Sequence, residues 1–129
     1  MILKPGVELL SESAGDGQAV VRHKHFQIRL RMWLRRGEPL RWLQPWGLIE
    51  HACIEEDGAA LTTVVRVDRV SLFAGLFHGV QGMRVGGSRT LRIAPHLAFG
   101  EQGLPGMIPE NALLTVEVTV LSERSEMNR

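Results

Sequence analysis

The alternation of apolar and polar residues predicts two strands in the C-terminal half of the chain. Thr90 and Arg92 alternate with Leu91 and Ile93, and residues 114–120 alternate between aliphatic and polar side chains. Successive side chains of a strand point to opposite faces, so each stretch should have one buried and one wet face. We therefore predict that both belong to an antiparallel sheet, which can face water on one side.

The loop between these two strands is rich in proline, glycine and large apolar residues. Proline fixes φ and glycine permits turns that other residues disfavour, so we predict a loop of defined shape. A shaped apolar loop beside a sheet indicates a pocket wall. The prolines and glycines are Pro95, Pro105, Pro109, Gly100, Gly103 and Gly106, and the apolar residues are Leu97, Phe99, Leu104, Met107 and Ile108.

The N-terminal half contains further stretches with strand patterns. Residues 25–34 have an apolar side chain at every second position, which predicts a strand. We predict shorter strands over residues 7–13, ended by a turn at 15–17, and over residues 61–67.

Residues 72–81 have the pattern of a short helix, for which Asp68 or Ser71 could provide the N-cap. Apolar residues four positions apart form one face, so this helix should pack one side on the sheet. Gly75 and Gly79 weaken a helix, and their presence is easier to understand if its backbone lies close to another element. The apolar face consists of Leu72, Leu76 and Val80, flanked by Phe73 and Phe77.

The length of 129 residues falls within the range of one domain, which we expect over residues 1–123, with a frayed tail at 124–129. With 44% apolar and 22% charged residues, the composition is that of an ordinary globular protein. Cys53 is the only cysteine, so no internal disulfide can form, which suits a reducing compartment. The start has no long apolar core, so we predict neither a secretion signal nor a membrane span and expect a cytoplasmic protein.

Positive and negative charges are separated along the chain, although the formal net charge is only +1. Residues 22–41 carry seven cations against Glu38 alone, and residues 50–57 carry four acids without a Lys or Arg. The basic stretch could attract nucleic acid or an acidic partner. Because Arg29 and Arg31 alternate with apolar residues, we favour the wet face of a strand.

His51 and Cys53 invite a metal-site or Cys–His interpretation, but no pair of ligand residues has a recognised site spacing. We predict no metal site and interpret Cys53 as a small buried hydrophobe. Met32, Met83 and Met107 are interpreted as lining of the core or pocket.

Four motifs in the C-terminal half resemble those of a known family. In their order and spacing they are similar to the FKBP family of peptidyl-prolyl cis-trans isomerases, and Gly6-Val7-Glu8 and Gly15-Asp16-Gly17 extend the resemblance to the start. The motifs are Gly-Met-x-Val-Gly at 82–86, Pro-x-Leu-Ala-Phe-Gly at 95–100, Gly-x-Pro-Gly-x-Ile-Pro at 103–109 and Asn-Ala-x-Leu at 111–114.

The resemblance covers residues 64–123 well and 6–41 loosely, and it leaves an insertion around residues 42–63. It implies an α+β fold in which a curved antiparallel β-sheet wraps around one short α-helix. Trp42 and Trp46 within the insertion are too apolar to sit fully in water, so we expect them to cover the pocket mouth or to form an oligomer or partner contact.

The resemblance also implies an activity, the rotation of X-Pro amides of peptides or proteins in an apolar pocket, as a folding helper or chaperone. No metal, nucleotide or redox cofactor is implied, and no nucleic acid or membrane partner is expected. The amide N–H of Phe73 would anchor a substrate carbonyl. Carried over position by position, the catalytic residues would be Phe73, Leu76, Phe99 and Ile108, and the substrate-binding residues would be Leu30, Leu40, Arg41, Leu72, Leu104 and Val116.

Several of these positions depart from the family pattern. Leu76 stands where Trp is typical and Phe99 where a Tyr hydroxyl binds a ligand carbonyl, so the pocket stays apolar but becomes more aliphatic. We therefore expect weak isomerase activity and poor binding of the family's macrolide inhibitors. The alternative is a noncatalytic binding module that uses the altered pocket or the Trp-bearing insertion. The other departures are Leu30 for Tyr, Leu40 and Val116 for Phe, and Arg41 for Asp.

Overall fold

The described part of the chain consists of seven strands, a short α-helix and a 3-10 turn. In this computed structural model the described residues are 1–41, 53–55, 58–69, 72–103 and 108–124. The helix α1 spans Ala74–Gly79 and the 3-10 turn spans Pro95–Leu97. The strands are β1 Ile2–Lys4, β2 Val7–Ser13, β3 His25–Trp33, β4 Cys53–Glu55, β5 Ala60–Arg66, β6 Ser88–Ile93 and β7 Leu114–Arg124.

The strands form a single antiparallel sheet in the order β1-β2-β6-β7-β3-β5-β4. Its centre is the long β3–β7 ladder, in which Arg29 lies opposite Thr119 and Trp33 opposite Thr115. The register shifts once between β2 and β6 and once between β3 and β7, and such irregularities increase the local twist of a sheet. The predicted α+β fold, a curved antiparallel sheet with one short helix, is confirmed.

The period-two patterns of the sequence correspond to the two faces of this sheet. Along β3 and β7 every second side chain is buried, and Leu91 and Ile93 of β6 are wholly buried. The buried face packs with α1 into one apolar cluster that also contains Met32 and Met83, as predicted for these two methionines. Met107 lies outside the described residues.

Helix α1 is shorter than the sequence pattern predicted. It begins at Ala74, and Phe73 occupies the N-cap position with extended φ/ψ and no side-chain capping bond, so the predicted cap at Asp68 was wrong and Ser71 lies outside the described residues. Leu72 is buried although it precedes the helix, which explains why the apolar spacing extends beyond it. No described helix has the length and hydrophobicity needed to span a bilayer.

The close approach predicted from the two helix glycines is present. A Cβ at Gly75 would overlap the Ile93 side chain, and one at Gly79 would overlap Leu91. Both glycines therefore let the backbone of α1 lie directly on β6, which fixes the height of the helix above the sheet.

The arginines on the outer face of β3 are paired with carboxylates. Arg29 Nε lies 3.2 Å from Glu55, which also accepts a bond from Thr62, and Arg31 Nη1 donates to Glu117 at 2.7 Å. Arg31 and Glu117 lie on the adjacent strands β3 and β7, whereas Arg29 reaches Glu55 on β4 across β5, the strand that carries Thr62. Charges separated in sequence thus meet across the sheet. The wet-face interpretation of this basic stretch agrees with the structure.

Strands β1 and β4 were not predicted, because three residues are too few to show a period. Cys53 lies on β4, where its side chain is exposed, so its interpretation as a buried hydrophobe was wrong. Cys53 lies opposite Thr62 of β5, which lies opposite Arg29 of β3, so its side chain is on the outer face of the sheet. Most of the predicted insertion, together with His51, lies outside the described residues.

Candidate active site

Six of the predicted pocket residues lie together in the apolar cluster between α1 and the sheet. They come from five different segments of the chain, and none is more than 4% exposed. On the sheet, Leu30 lies opposite Val118 and Met32 opposite Val116, so the wall residues are diagonal neighbours on one face. The six residues are Leu30, Leu40, Leu72, Leu76, Ile108 and Val116.

A tight turn after β3 brings Leu40 back onto this wall. Gly37 adopts φ +88°, and its N–H donates to the Leu34 carbonyl at 2.9 Å. The Leu40 N–H then donates to the Met32 carbonyl at 2.9 Å, so the chain returns beside the strand. Arg41 follows and is exposed, outside the buried cluster.

Phe73 and Phe99 form an aromatic pair at the edge of this cluster. Their ring centroids are 5.1 Å apart with the ring planes inclined at 44°, a geometry that aromatic side chains favour. Both are only partly buried and pack against the aliphatic residues. The aromatic pair is therefore the part of the predicted apolar site, within the described residues, that is not fully buried.

The loop that carries Phe99 is held in shape by backbone bonds and glycines, as predicted. The Phe99 carbonyl accepts a bond from Gly103 at 3.1 Å, and the Gly100 carbonyl accepts one from Asn111 at 2.9 Å. Gly103 has φ +64°, and a Cβ there would overlap the carbonyl of Ile108. Close contact of the two loop arms thus places Phe99 and Ile108 on one site, while Leu104 lies outside the described residues.

Phe73 is positioned by the start of α1. Its carbonyl accepts the first helical bond, from Phe77 at 2.9 Å, and the preceding Leu72 carbonyl accepts a bond from Arg69 Nη1 at 3.0 Å. Among the described residues, none accepts a bond from the Phe73 N–H, as expected for the first amides of a helix. Anchoring of a substrate carbonyl by this N–H stays a prediction.

Comparison with known proteins connects this geometry to an activity. The family model for FKBP-type peptidyl-prolyl cis-trans isomerases matches residues 54–121, more than half of the chain. The chain belongs to this family.

Two relatives illustrate the extent of the similarity. This chain is 40% identical over 68 residues to peptidyl-prolyl cis-trans isomerase FPR2 of Saccharomyces cerevisiae. The match covers 53% of this chain and 49% of the relative. This chain is 44% identical over 64 residues to FK506-binding protein 4 of Chaetomium thermophilum, covering 50% of this chain and 13% of the relative. The chain thus spans half or less of the length of these relatives.

Solved structures show the same fold at lower identity. The N-terminal domain of FKBP42 from Arabidopsis thaliana has a TM-score of 0.69 at 19% identity, with 97% of this chain and 91% of that chain covered. FkpA from Escherichia coli has a TM-score of 0.64 at 24% identity, with 92% and 47% covered.

One residue that shapes the site was missed in the sequence. Arg89 of β6 is buried, and its Nη1 donates to the carbonyls of Gly79 and Gln81, both at 2.8 Å, while Nε pairs with Glu12 at 2.9 Å. It anchors the C-terminal end of α1 to the sheet. The strand pattern could have indicated its inward position, because Arg89 is on the same face of β6 as the buried residues Leu91 and Ile93.

Proposed function

We propose that this chain is a weak peptidyl-prolyl cis-trans isomerase whose substrate proline binds against the aromatic pair. The observation that supports this most directly is the contrast between the half-buried rings of Phe73 and Phe99 and the buried aliphatic residues behind them. Membership of the FKBP family supports the reaction class.

An apolar site is suited to this reaction. Rotation about an X-Pro bond is opposed by amide resonance, with a barrier of ~18–20 kcal/mol. When the amide twists, its nitrogen lone pair is no longer delocalised, so the bond becomes less dipolar and tolerates a dry site better than the planar ground state does. The Phe73 N–H would hold a neighbouring carbonyl of the peptide while the bond turns.

The low activity follows from two departures in the site. Phe99 has a ring but no hydroxyl to donate to a substrate carbonyl, and an intramolecular hydrogen bond is worth roughly 0.5–1.5 kcal/mol. Leu76 is wholly buried, so the prolyl ring rests on the edges of two phenyl rings rather than on a broad flat floor.

Exchange spectroscopy on a proline peptide, which resolves the cis and trans signals, tests the proposal. We expect wild-type protein to raise the exchange rate above that in buffer and Phe99→Ala to lose most of the increase. Leu10→Ala, which removes an exposed apolar side chain from β2, is the matched control and should retain it. No acceleration by the wild type, or equal losses in both variants, would contradict the proposal.

Phe99→Tyr sharpens the same test by adding a hydroxyl to the existing ring. If this hydroxyl reaches a substrate carbonyl, the rate should rise about two- to tenfold, the equivalent of one hydrogen bond. The same rate in Phe99→Tyr and wild type would show that the ring edge does not face the substrate carbonyl.

The burial of the six aliphatic residues favours one alternative, a noncatalytic binding module of the same fold. In that case a proline peptide would shift the amide signals of Phe73 and Phe99 without faster cis-trans exchange. The predicted oligomer or partner contact at Trp42 and Trp46 lies outside the described residues and stays a prediction. Sedimentation of wild type and Trp42→Ala over a range of concentrations tests it.

A further inference from the structure

The arginines on β3 and β6 are paired with carboxylates of other strands. Besides the pairs on β3, Arg89 contacts Glu12 at 2.9 Å and Arg92 contacts Glu8 at 3.1 Å. The pairs Arg89–Glu12 and Arg92–Glu8 both join β6 to β2, so little net charge remains along the β2–β6 ladder. The sheet therefore does not present an extended basic track.

A second group of cations surrounds the last turn of α1 and differs from those pairs. Arg22 lies with its guanidinium carbon 5.3 Å from the centroid of the Phe77 ring, and this ring packs edge-on against His78 at 5.2 Å. Arg69 is tied to the segment before α1 through the Leu72 carbonyl, and β1, which carries Lys4, packs against α1. We call Lys4, Arg22, Arg69 and His78 the helix-side cluster.

The positive charge of the helix-side cluster is not offset by an acid within the described residues. None of Lys4, Arg22 and Arg69 forms an ion pair with a carboxylate there. Burial, and then the positive charges of Lys4, Arg69 and Arg22, lower the pKa of His78. Arg22 and His78 both contact the Phe77 ring, Arg69 binds the segment that precedes α1, and the strand of Lys4 packs on α1, so four separate segments bring donors to this helix.

We propose that the helix-side cluster binds a carboxylate-rich polypeptide segment of a partner. A guanidinium that stacks on a ring, as that of Arg22 does on Phe77, keeps its in-plane N–H donors for a carboxylate. Lys4 and Arg69 add charge from either side, so more than one carboxylate can be held. A short acidic segment fits this local cluster better than nucleic acid, whose phosphates need a longer basic track than the neutralised sheet provides.

Binding of an oligoglutamate peptide at low salt tests the proposal, with oligoglutamine as the uncharged comparison. The peptide lacks proline, so its failure to bind would leave the isomerase proposal intact. The double variant Lys4→Gln and Arg22→Gln should weaken binding at least about tenfold, because it removes two charge-assisted contacts. The matched double variant Arg35→Gln and Arg36→Gln removes equal charge from the exposed turn after β3 and should change it less than about twofold.

A second readout comes from His78, whose pKa is lowered by burial and then by the charges of Lys4, Arg69 and Arg22. Bound carboxylates should raise the pKa of His78 in an NMR titration, and by linkage the peptide should bind more tightly as the pH falls. If the double variant Lys4→Gln and Arg22→Gln unfolds more readily than wild type, the single variant Lys4→Gln replaces it in the test. Lys4 is exposed, so this single change should not affect folding. Equal losses in the two double variants, an unchanged pKa of His78, or tighter binding of single-stranded DNA than of oligoglutamate would each overturn the proposal.

Discussion

The two ends of α1 are held in different ways. At the C-terminal end, buried Arg89 joins the carbonyls of Gly79 and Gln81 to Glu12 on β2. At the N-terminal end, Phe73 has no side-chain cap, and the nearest anchor is exposed Arg69. One end is fixed to the sheet by buried polar contacts, and the other carries a half-buried ring.

This difference matches a division between scaffold and site. Ligand-binding groups work best when a rigid element holds them and their own surface remains accessible. The fixed end of α1 holds the helix that carries Phe73, and we propose that both rings bind the peptide at the open end. We therefore expect changes at the fixed end to alter stability and changes at the open end to alter turnover.

The largest stability effect is expected for Arg89→Met. The variant leaves the buried carbonyl of Gly79 and the partly buried carbonyl of Gln81 without their donor, which should lower the free energy of unfolding by about 2–4 kcal/mol. Urea unfolding measures this loss. Arg92→Met is the control on the same strand, because Arg92 forms an exposed pair with Glu8, and it should cost about 0–1 kcal/mol. Equal costs at the two positions would remove the distinction between the ends of α1.

A smaller loss is expected for Gly75→Ala. The new methyl group would overlap Ile93, and overpacking costs about 1–3 kcal/mol, partly offset by the better helix propensity of Ala. Thermal unfolding of the single variants and of the double variant with Ile93→Ala separates the two effects. If Gly75→Ala costs as much in the Ile93→Ala background as alone, the contact is not the cause.

The smallest effect is expected at His78 and depends on pH. The pKa of His78 is lowered in the folded protein, so below the ordinary histidine value of about 6.5 the unfolded chain binds more protons than the folded one. His78 therefore favours the folded state fully above that pH, and its contribution is lost as the pH falls through the folded pKa. Wild type should lose more stability than His78→Gln between neutral and acid pH, and parallel curves would refute this.

The sequence was most informative where a period is long enough to detect. The nine residues of β3 and residues 114–120 of β7 show the two-residue alternation that a half-buried strand requires. Helix α1 was predicted too long, since Leu72 and Val80 point into the core from positions that flank the helix. Apolar spacing reports burial, and burial does not end where the helical hydrogen bonds end.

Residues whose role depends on their neighbours could not be predicted. An arginine in a strand is expected in water, and only the acceptors from α1 and Glu12 make the inward position of Arg89 stable. Cys53 is exposed because β4 is at the edge of the sheet, a property of strand order rather than of local sequence. Phe99 could be named from its motif and Phe73 from its position at the start of the predicted helix, but their ring contact required the folded loop.

A double-mutant cycle on kcat/KM for a proline peptide tests most directly whether the aromatic pair is where the proline binds. Phe73→Ala and Phe99→Ala are each expected to lower kcat/KM severalfold, and the double variant to lose little more than the worse single variant, because the rings act as one surface. Unchanged turnover in both single variants, or losses that simply multiply in the double variant, would contradict the account.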